Sequence, residues 1–131
     1  MEKFVSVTNP KVIENLKLQI SNSRIIDWAT DFNKNAGITY NRLAYILDYW
    51  KNKFSWEKSE KELNSFNQFY FIDEGIKTHF LHIKSPKKNA LPLLLIHGWP
   101  GSIFEFFDLI PLLTNPKDHN LIGCQPFDIV I

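Results

Sequence analysis

The chain has 131 residues, 44% of them apolar and 15% aromatic. That is enough to pack one domain and too rich in large side chains for a disordered segment. A net charge of +1 and a single cysteine exclude a strongly basic nucleic-acid-binding surface and any internal disulfide. No apolar run reaches the roughly 18 residues of a membrane span, and the start Met-Glu-Lys-Phe-Val lacks a signal-peptide layout, so no membrane anchor and a cytoplasmic location are expected.

The charge is divided along the chain. Residues 1–90 carry an excess of four positive charges and residues 91–131 an excess of three negative ones, the pattern of a wet helical layer followed by a sheet core. In chain order, Asn9-Pro10 predicts an N-cap and first helical residue, with Ile13, Leu16 and Ile20 marking one face of a helix to about Ser21. Trp28 and Phe32 lie in a weakly periodic stretch ending in an Asn35-Ala36-Gly37 turn. Thr39 or Asn41 caps the next helix, whose inward face reads Leu43, Ile46, Leu47 and Trp50. Ser55 caps a shorter helix from Trp56 to about Ser65, with Leu63 inward. The aromatic set Tyr45, Tyr49, Trp50, Phe54 and Trp56 reads as core contact between helix and sheet rather than a ligand platform.

From Gln68 the period changes. Phe69 to Ile72 and Ile76 to Ile83 predict two strands joined at Asp73-Glu74-Gly75, a hairpin. His79 and His82, three apart on a strand, fall on opposite faces and do not suit a shared metal. Ser85-Pro86 and Lys87-Lys88-Asn89 form a loop too short to be a nucleic-acid patch. Leu93 to Ile96 is an unbroken apolar run, predicted as a strand buried on both faces of a parallel sheet. Gly98, Pro100 and Gly101 force a sharp turn, and Ser102 with Glu105 forms a capping box for a helix that Pro111 ends or kinks. Asp118 to Gln125 is a polar loop, Cys124 reads as a small buried hydrophobe, and Phe127 to Ile131 is strand-like.

A strand, a Gly/Pro turn and a capped helix in succession form a site for negative charge at the strand's carboxyl end. Ser102 is not a nucleophile, since it lacks a G-x-S-x-G context and serves as a cap. The sequence His97-Gly98-Trp99-Pro100-Gly101-Ser102 resembles the HGxP oxyanion-hole motif of α/β-hydrolases, in the form typical of microsomal-type epoxide hydrolases. Upstream, Tyr49-Trp50, Ser55-Trp56 and Leu63-Asn64 resemble the helical N-terminal region of that family, in which an Asp usually stands where this chain has Ser55.

The resemblance implies an α/β fold: a helical meander over residues 1–66, then, over 67–131, the first four strands and first helix of an incomplete α/β-hydrolase sheet. It implies that the Trp99 backbone amide donates to the oxyanion, that the Trp99 ring lines the substrate pocket, and that His97 and Pro100 shape the loop rather than act in proton transfer. The Trp99-Pro100 bond is expected to be cis. The substrate class is a small apolar epoxide, with no cofactor and no metal. In the family an aspartate opens the epoxide to an alkyl-enzyme ester, tyrosines protonate the leaving oxygen, and a water activated by a His-carboxylate pair hydrolyses the ester. None of those groups matches a residue here, and Asp128 does not have the nucleophile's context.

The chain is therefore expected to be an N-terminal segment that is inactive alone and self-associates through an exposed apolar strand edge. The competing readings are a fragment of another α/β-hydrolase, such as a haloalkane dehalogenase or an esterase, and a non-catalytic remnant acting as a binding module.

Overall fold

The segment 68–83 forms a hairpin because its two β-rich runs meet at a turn in which Gly75 adopts positive φ without a Cβ penalty. The computed structural model describes residues 2–26 and 37–131, so Trp28, Phe32 and the Asn35-Ala36 part of the predicted turn lie outside the described residues. Strand β1 is Glu2–Phe4, β2 is Gln68–Asp73, β3 is Ile76–Ile83, β4 is Leu91–Leu94 and β5 is Phe127–Val130. Between β2 and β3, Glu74 (φ 47°) and Gly75 (φ 82°) make a two-residue turn of the kind whose twist matches the flanking strands.

The strand order is β1-β2-β3-β5-β4. The first three pairs along this order are antiparallel and the last, β5 with β4, is parallel. Leu93 faces Ile129 and Leu94 faces Val130, so the apolar run pairs in parallel with the terminal strand. The chain is thus of the α/β class, and its crossover from β4 to β5 carries the helix that covers the sheet.

Two compact units make up the described chain, one of residues up to Ser6 with Lys61–Ile131 and one of Val7–Glu60. In the first, helix α4 (Leu109–Thr114) and the turn before it lay Phe107 and Ile110 against Leu81, Ile129 and Ile131, the buried core. Leu81 and Ile129 have no exposed surface at all. The other face of the sheet carries Phe69 stacked on Phe80 across β2 and β3 (centroids 5.7 Å).

β1 was not foreseen, since three residues carry too little pattern to read. It pairs with β2 over three residues, and a side chain anchors the chain just beyond it. Asn64 Oδ1 accepts the Ser6 N–H at 2.9 Å and its Nδ2 donates to the Ser6 carbonyl at 2.8 Å, imitating a backbone pair. Gln68, 3% exposed, donates to the same Asn64 oxygen at 2.7 Å and accepts from His79 Nε2 at 3.0 Å, which fixes the proton of neutral His79 on Nε2.

In the second unit, α1 (Pro10–Asn22) starts with the Asn9 side chain accepting from Lys11 N–H at 3.0 Å, and Ile13, Leu16 and Ile20 form its half-buried face. α2 (Tyr40–Asn52) is capped by Thr39, not Asn41, through the Arg42 N–H at 3.3 Å. Leu43 and Leu47 share an apolar recess with Leu16 and Ile20. α3 (Trp56–Leu63) begins at Ser55, whose hydroxyl accepts from Lys58 N–H at 3.2 Å.

The aromatic set departs from its expected burial. Tyr45, Tyr49, Trp50 and Trp56 remain well exposed, and Trp50, Phe54 and Trp56 border a groove of about 600 Å³ with α1. Trp56 is tethered there by its indole N–H, which donates to Thr8 Oγ1 at 2.8 Å, while Thr8 donates to Glu60 at 2.6 Å.

Candidate functional site

The loop 97–102 leaves the carboxyl end of β4, where ligands of parallel sheets bind. β4 itself differs from the expected doubly buried strand. Leu93 and Leu95 are half-buried toward the core, while Leu94 is 63% and Ile96 79% exposed. The cause is that Leu94 and Ile96 lie on the open face beside Phe80 and Val130 of a strand that is also the edge of the sheet, and an unbroken apolar run reads the same whether or not a further layer covers it. Leu91 and Leu95 donate to Pro126 and Val130 of the β5 side at 3.1 and 2.8 Å. The alternate residues Pro92, Leu94 and Ile96 therefore present their backbone to the open edge, where a proline is tolerated because no partner needs its missing N–H.

Trp99 stands at the tip, 96% exposed. Its amide finds no hydrogen-bond partner among the described residues, so this donor is neither consumed by the fold nor buried against it. The Trp99-Pro100 peptide is cis, as expected. The expected role of the Trp99 ring in lining a pocket has no counterpart in these residues, because nothing packs on it. His97 Nδ1 donates to the Gly98 carbonyl at 3.1 Å, a bond that ties the ring to the turn.

The capping arrangement is partly as expected. Ser102 N–H donates to Glu105 Oε1 at 3.2 Å, and Glu105 N–H to the Ser102 carbonyl at 3.1 Å. The element that follows is not the continuous helix predicted. Ile103–Phe106 is a single 3-10 turn, and α4 starts only at Leu109, placing Pro111 in its first turn. There the missing N–H is one of the donors a helix leaves unpaired anyway, so Pro111 neither ends nor kinks it. So short a stack of peptides carries little dipole, which leaves the turn amides as the donors.

Beyond the loop, a cavity of about 520 Å³ opens over the Phe80 face of the sheet, bordered by Phe71, Phe80, Leu94, Ile96, His97 and Val130. It is apolar, with the histidine at its rim. His79 also reaches this cavity; its pKa is lowered from 6.5 by burial, and Phe4 and Tyr70 stand edge-on to its ring at 5.3 and 5.7 Å. His82, which alternates with His79 along β3, shares the Phe80 face and lies near Phe69. Among the described residues no cluster of three or more His, Cys, Asp or Glu could hold a metal.

Two groups serve the scaffold. Asp128 accepts the Ser85 N–H at 2.8 Å, and Ser85 in turn donates its hydroxyl to the Thr114 carbonyl at 2.7 Å, so this carboxylate joins the β3–β4 loop to β5. Cys124 is exposed rather than buried, because the 121–126 loop runs over the surface instead of entering the sheet. Gly101, named above only for the turn, is also a close packing point: a Cβ there would lie 2.8 Å from the Gly98 carbonyl oxygen and meet the Glu105 carboxylate. No helix of the described residues is long and apolar enough to cross a membrane.

The family described as epoxide hydrolase N terminus matches residues 1–106. The chain is 37% identical to epoxide hydrolase 1 of Sus scrofa over 97% of its own length and 29% of that protein's. Among solved structures it resembles an Aspergillus niger epoxide hydrolase, with TM-score 0.79 and 30% identity over 98% of this chain and 34% of that one. It also resembles the juvenile hormone epoxide hydrolase of Bombyx mori, with TM-score 0.80 and 29% identity over 99% of this chain and 30% of that one. The chain thus spans about a third or less of the proteins it matches.

Proposed function

The chain belongs to the epoxide hydrolase N-terminus family, and on that premise we propose that its 97–102 loop is the oxyanion-hole loop of an epoxide hydrolase. The substrate class is a small apolar epoxide and the product a vicinal diol. A carboxylate opens the three-membered ring, forming a C–O ester bond as the ring C–O bond breaks, and the released alkoxide takes a proton. Water then adds to the ester carbonyl. The tetrahedral oxyanion so formed accepts the Trp99 N–H, and its collapse returns the carboxylate and frees the diol.

The observation that carries this reading is the exposed, unpartnered Trp99 amide at the carboxyl end of a parallel strand. A donor of this kind contributes roughly 3 kcal/mol to the intermediate when the site is dry. His97 and Pro100 act on loop shape, and the apolar cavity beside them suits an uncharged substrate. The nucleophile, the protonating tyrosines and the water-activating pair lie, in this proposal, on polypeptide outside these 131 residues, so the chain alone does not turn over epoxide. The share of the relatives that it spans supports that division.

The test is a pair of assays with an aryl epoxide. The purified chain should form no diol above the uncatalysed rate. A chimera joining it to the remainder of the Sus scrofa enzyme should form diol, and an inactive but folded chimera would contradict the proposal.

A further inference from the structure

The Gly98–Trp99 peptide is trans and planar, so the Gly98 C=O and the Trp99 N–H point in opposite directions. Whatever holds the carbonyl therefore aims the amide. Two groups hold it. The His97 ring donates to it at 3.1 Å, and Gly101 approaches so closely that a Cβ on that residue would sit 2.8 Å from the oxygen. Gly101 is in turn flanked by the Glu105 carboxylate, which lies where a side chain at 101 would begin. The same carboxylate oxygen accepts the Ser102 N–H at 3.2 Å. Among the described residues no other side chain hydrogen-bonds to residues 98–102.

We infer that Glu105 is a positioning residue for the Trp99 amide, acting through Gly101 and the Gly98 carbonyl. The functional value of this role rests on the proposed oxyanion assignment of Trp99; the geometry does not. Capping alone would make Glu105 important only for the turn that follows it. The packing against Gly101 adds a second consequence, because a shorter side chain leaves room for Gly101 to move and for the Gly98–Trp99 plane to rotate about its flanking bonds. Glutamine retains both the size and an oxygen that accepts from Ser102 N–H. Aspartate retains the charge and loses the reach.

The experiment uses the full chain labelled with ¹⁵N-tryptophan, with the Trp99 backbone amide peak identified by its loss in Trp99→Phe. Glu105→Gln should leave that peak in place. Glu105→Ala and Glu105→Asp should both displace it while the Trp50 and Trp56 amide peaks stay where they are. Should Glu105→Ala fail to fold, Glu105→Asp against Glu105→Gln decides. An unmoved Trp99 peak in Glu105→Asp, or a displacement in Glu105→Gln as large as in Glu105→Asp, overturns the inference. This readout is independent of catalysis: if the peaks move as expected while the active chimera tolerates loss of the Trp99 N–H, positioning stands and the oxyanion reading falls.

Discussion

The open edge of β4 makes a measurable demand on the isolated chain. Leu91, Leu94 and Ile96 are 53%, 63% and 79% exposed. Scaling about 1.5–3 kcal/mol for full burial of each such side chain by those fractions gives an upper limit of about 3–6 kcal/mol per copy for covering this edge. Two copies covering each other double this, an upper limit of roughly 10⁴ to 10⁹ in an association constant, before the cost of ordering two chains. Unpaired backbone at Leu94 and Ile96 adds directionality, since a second strand can hydrogen-bond there. We therefore expect the purified chain to self-associate through β4, with an average mass in sedimentation equilibrium that rises with concentration. Leu94→Lys with Ile96→Lys should weaken association by tenfold or more and leave the far-ultraviolet circular dichroism unchanged, because neither side chain belongs to the core. A chain that stays monomeric throughout, or a double lysine variant that associates as tightly as the parent, would refute the reasoning.

Three further outcomes concern stability. Leu81→Ala, at a position with no exposed surface between α4 and the sheet, should cost about 2–5 kcal/mol in denaturant unfolding; a loss under about 1 kcal/mol would contradict the core described. Asn64→Ala removes both bonds to Ser6 and the acceptor for Gln68. It should cost about 1–3 kcal/mol and raise amide exchange in residues 2–4 before the rest of the sheet. Burial lowers the His79 pKa below 6.5, so the unfolded chain binds this proton at higher pH than the folded one does. The stabilising contribution of neutral His79 is complete above pH 6.5 and is lost as the pH falls from there toward the lowered folded value. Thermal melts should show that slope, and His79→Asn should reduce it relative to the parent.

How much was legible in the sequence depended on how local the cause was. The hairpin was readable because two β-rich runs flank a turn with Gly75 available for positive φ, and Asn9, Thr39 and Ser55 were readable as caps because each bonds within three residues of itself. β1 was not, since its three residues pair with β2 and the chain beyond them is anchored by Asn64, 58 residues from Ser6. The exposure of Leu94 and Ile96 was hidden for another reason. Apolar side chains announce that they prefer burial, but only the strand order shows that β4 is an edge.

The loop divides in the same way. His97, Trp99 and Pro100 could be picked out by motif, and the Ser102–Glu105 pair by spacing. The contact of Gly101 with the Gly98 carbonyl and the Glu105 carboxylate required coordinates, because a glycine in sequence does not say which neighbour forbids its side chain. The expected helix from Ile103 failed where two preferences met: the capping turn closes as 3-10, and Pro111 lacks the N–H for a helical interior but fits a first turn. Helix α4 accordingly restarts two residues before it.

The most direct measurement replaces the Gly98–Trp99 peptide by an ester in the catalytically active chimera, using the α-hydroxy analogue of tryptophan so that only the Trp99 N–H is lost. The account predicts a fall in kcat of roughly 10² to 10³, with alkyl-enzyme accumulating because hydrolysis of the ester intermediate is the step that suffers. An ester-substituted enzyme that turns over epoxide as fast as its amide parent would contradict it.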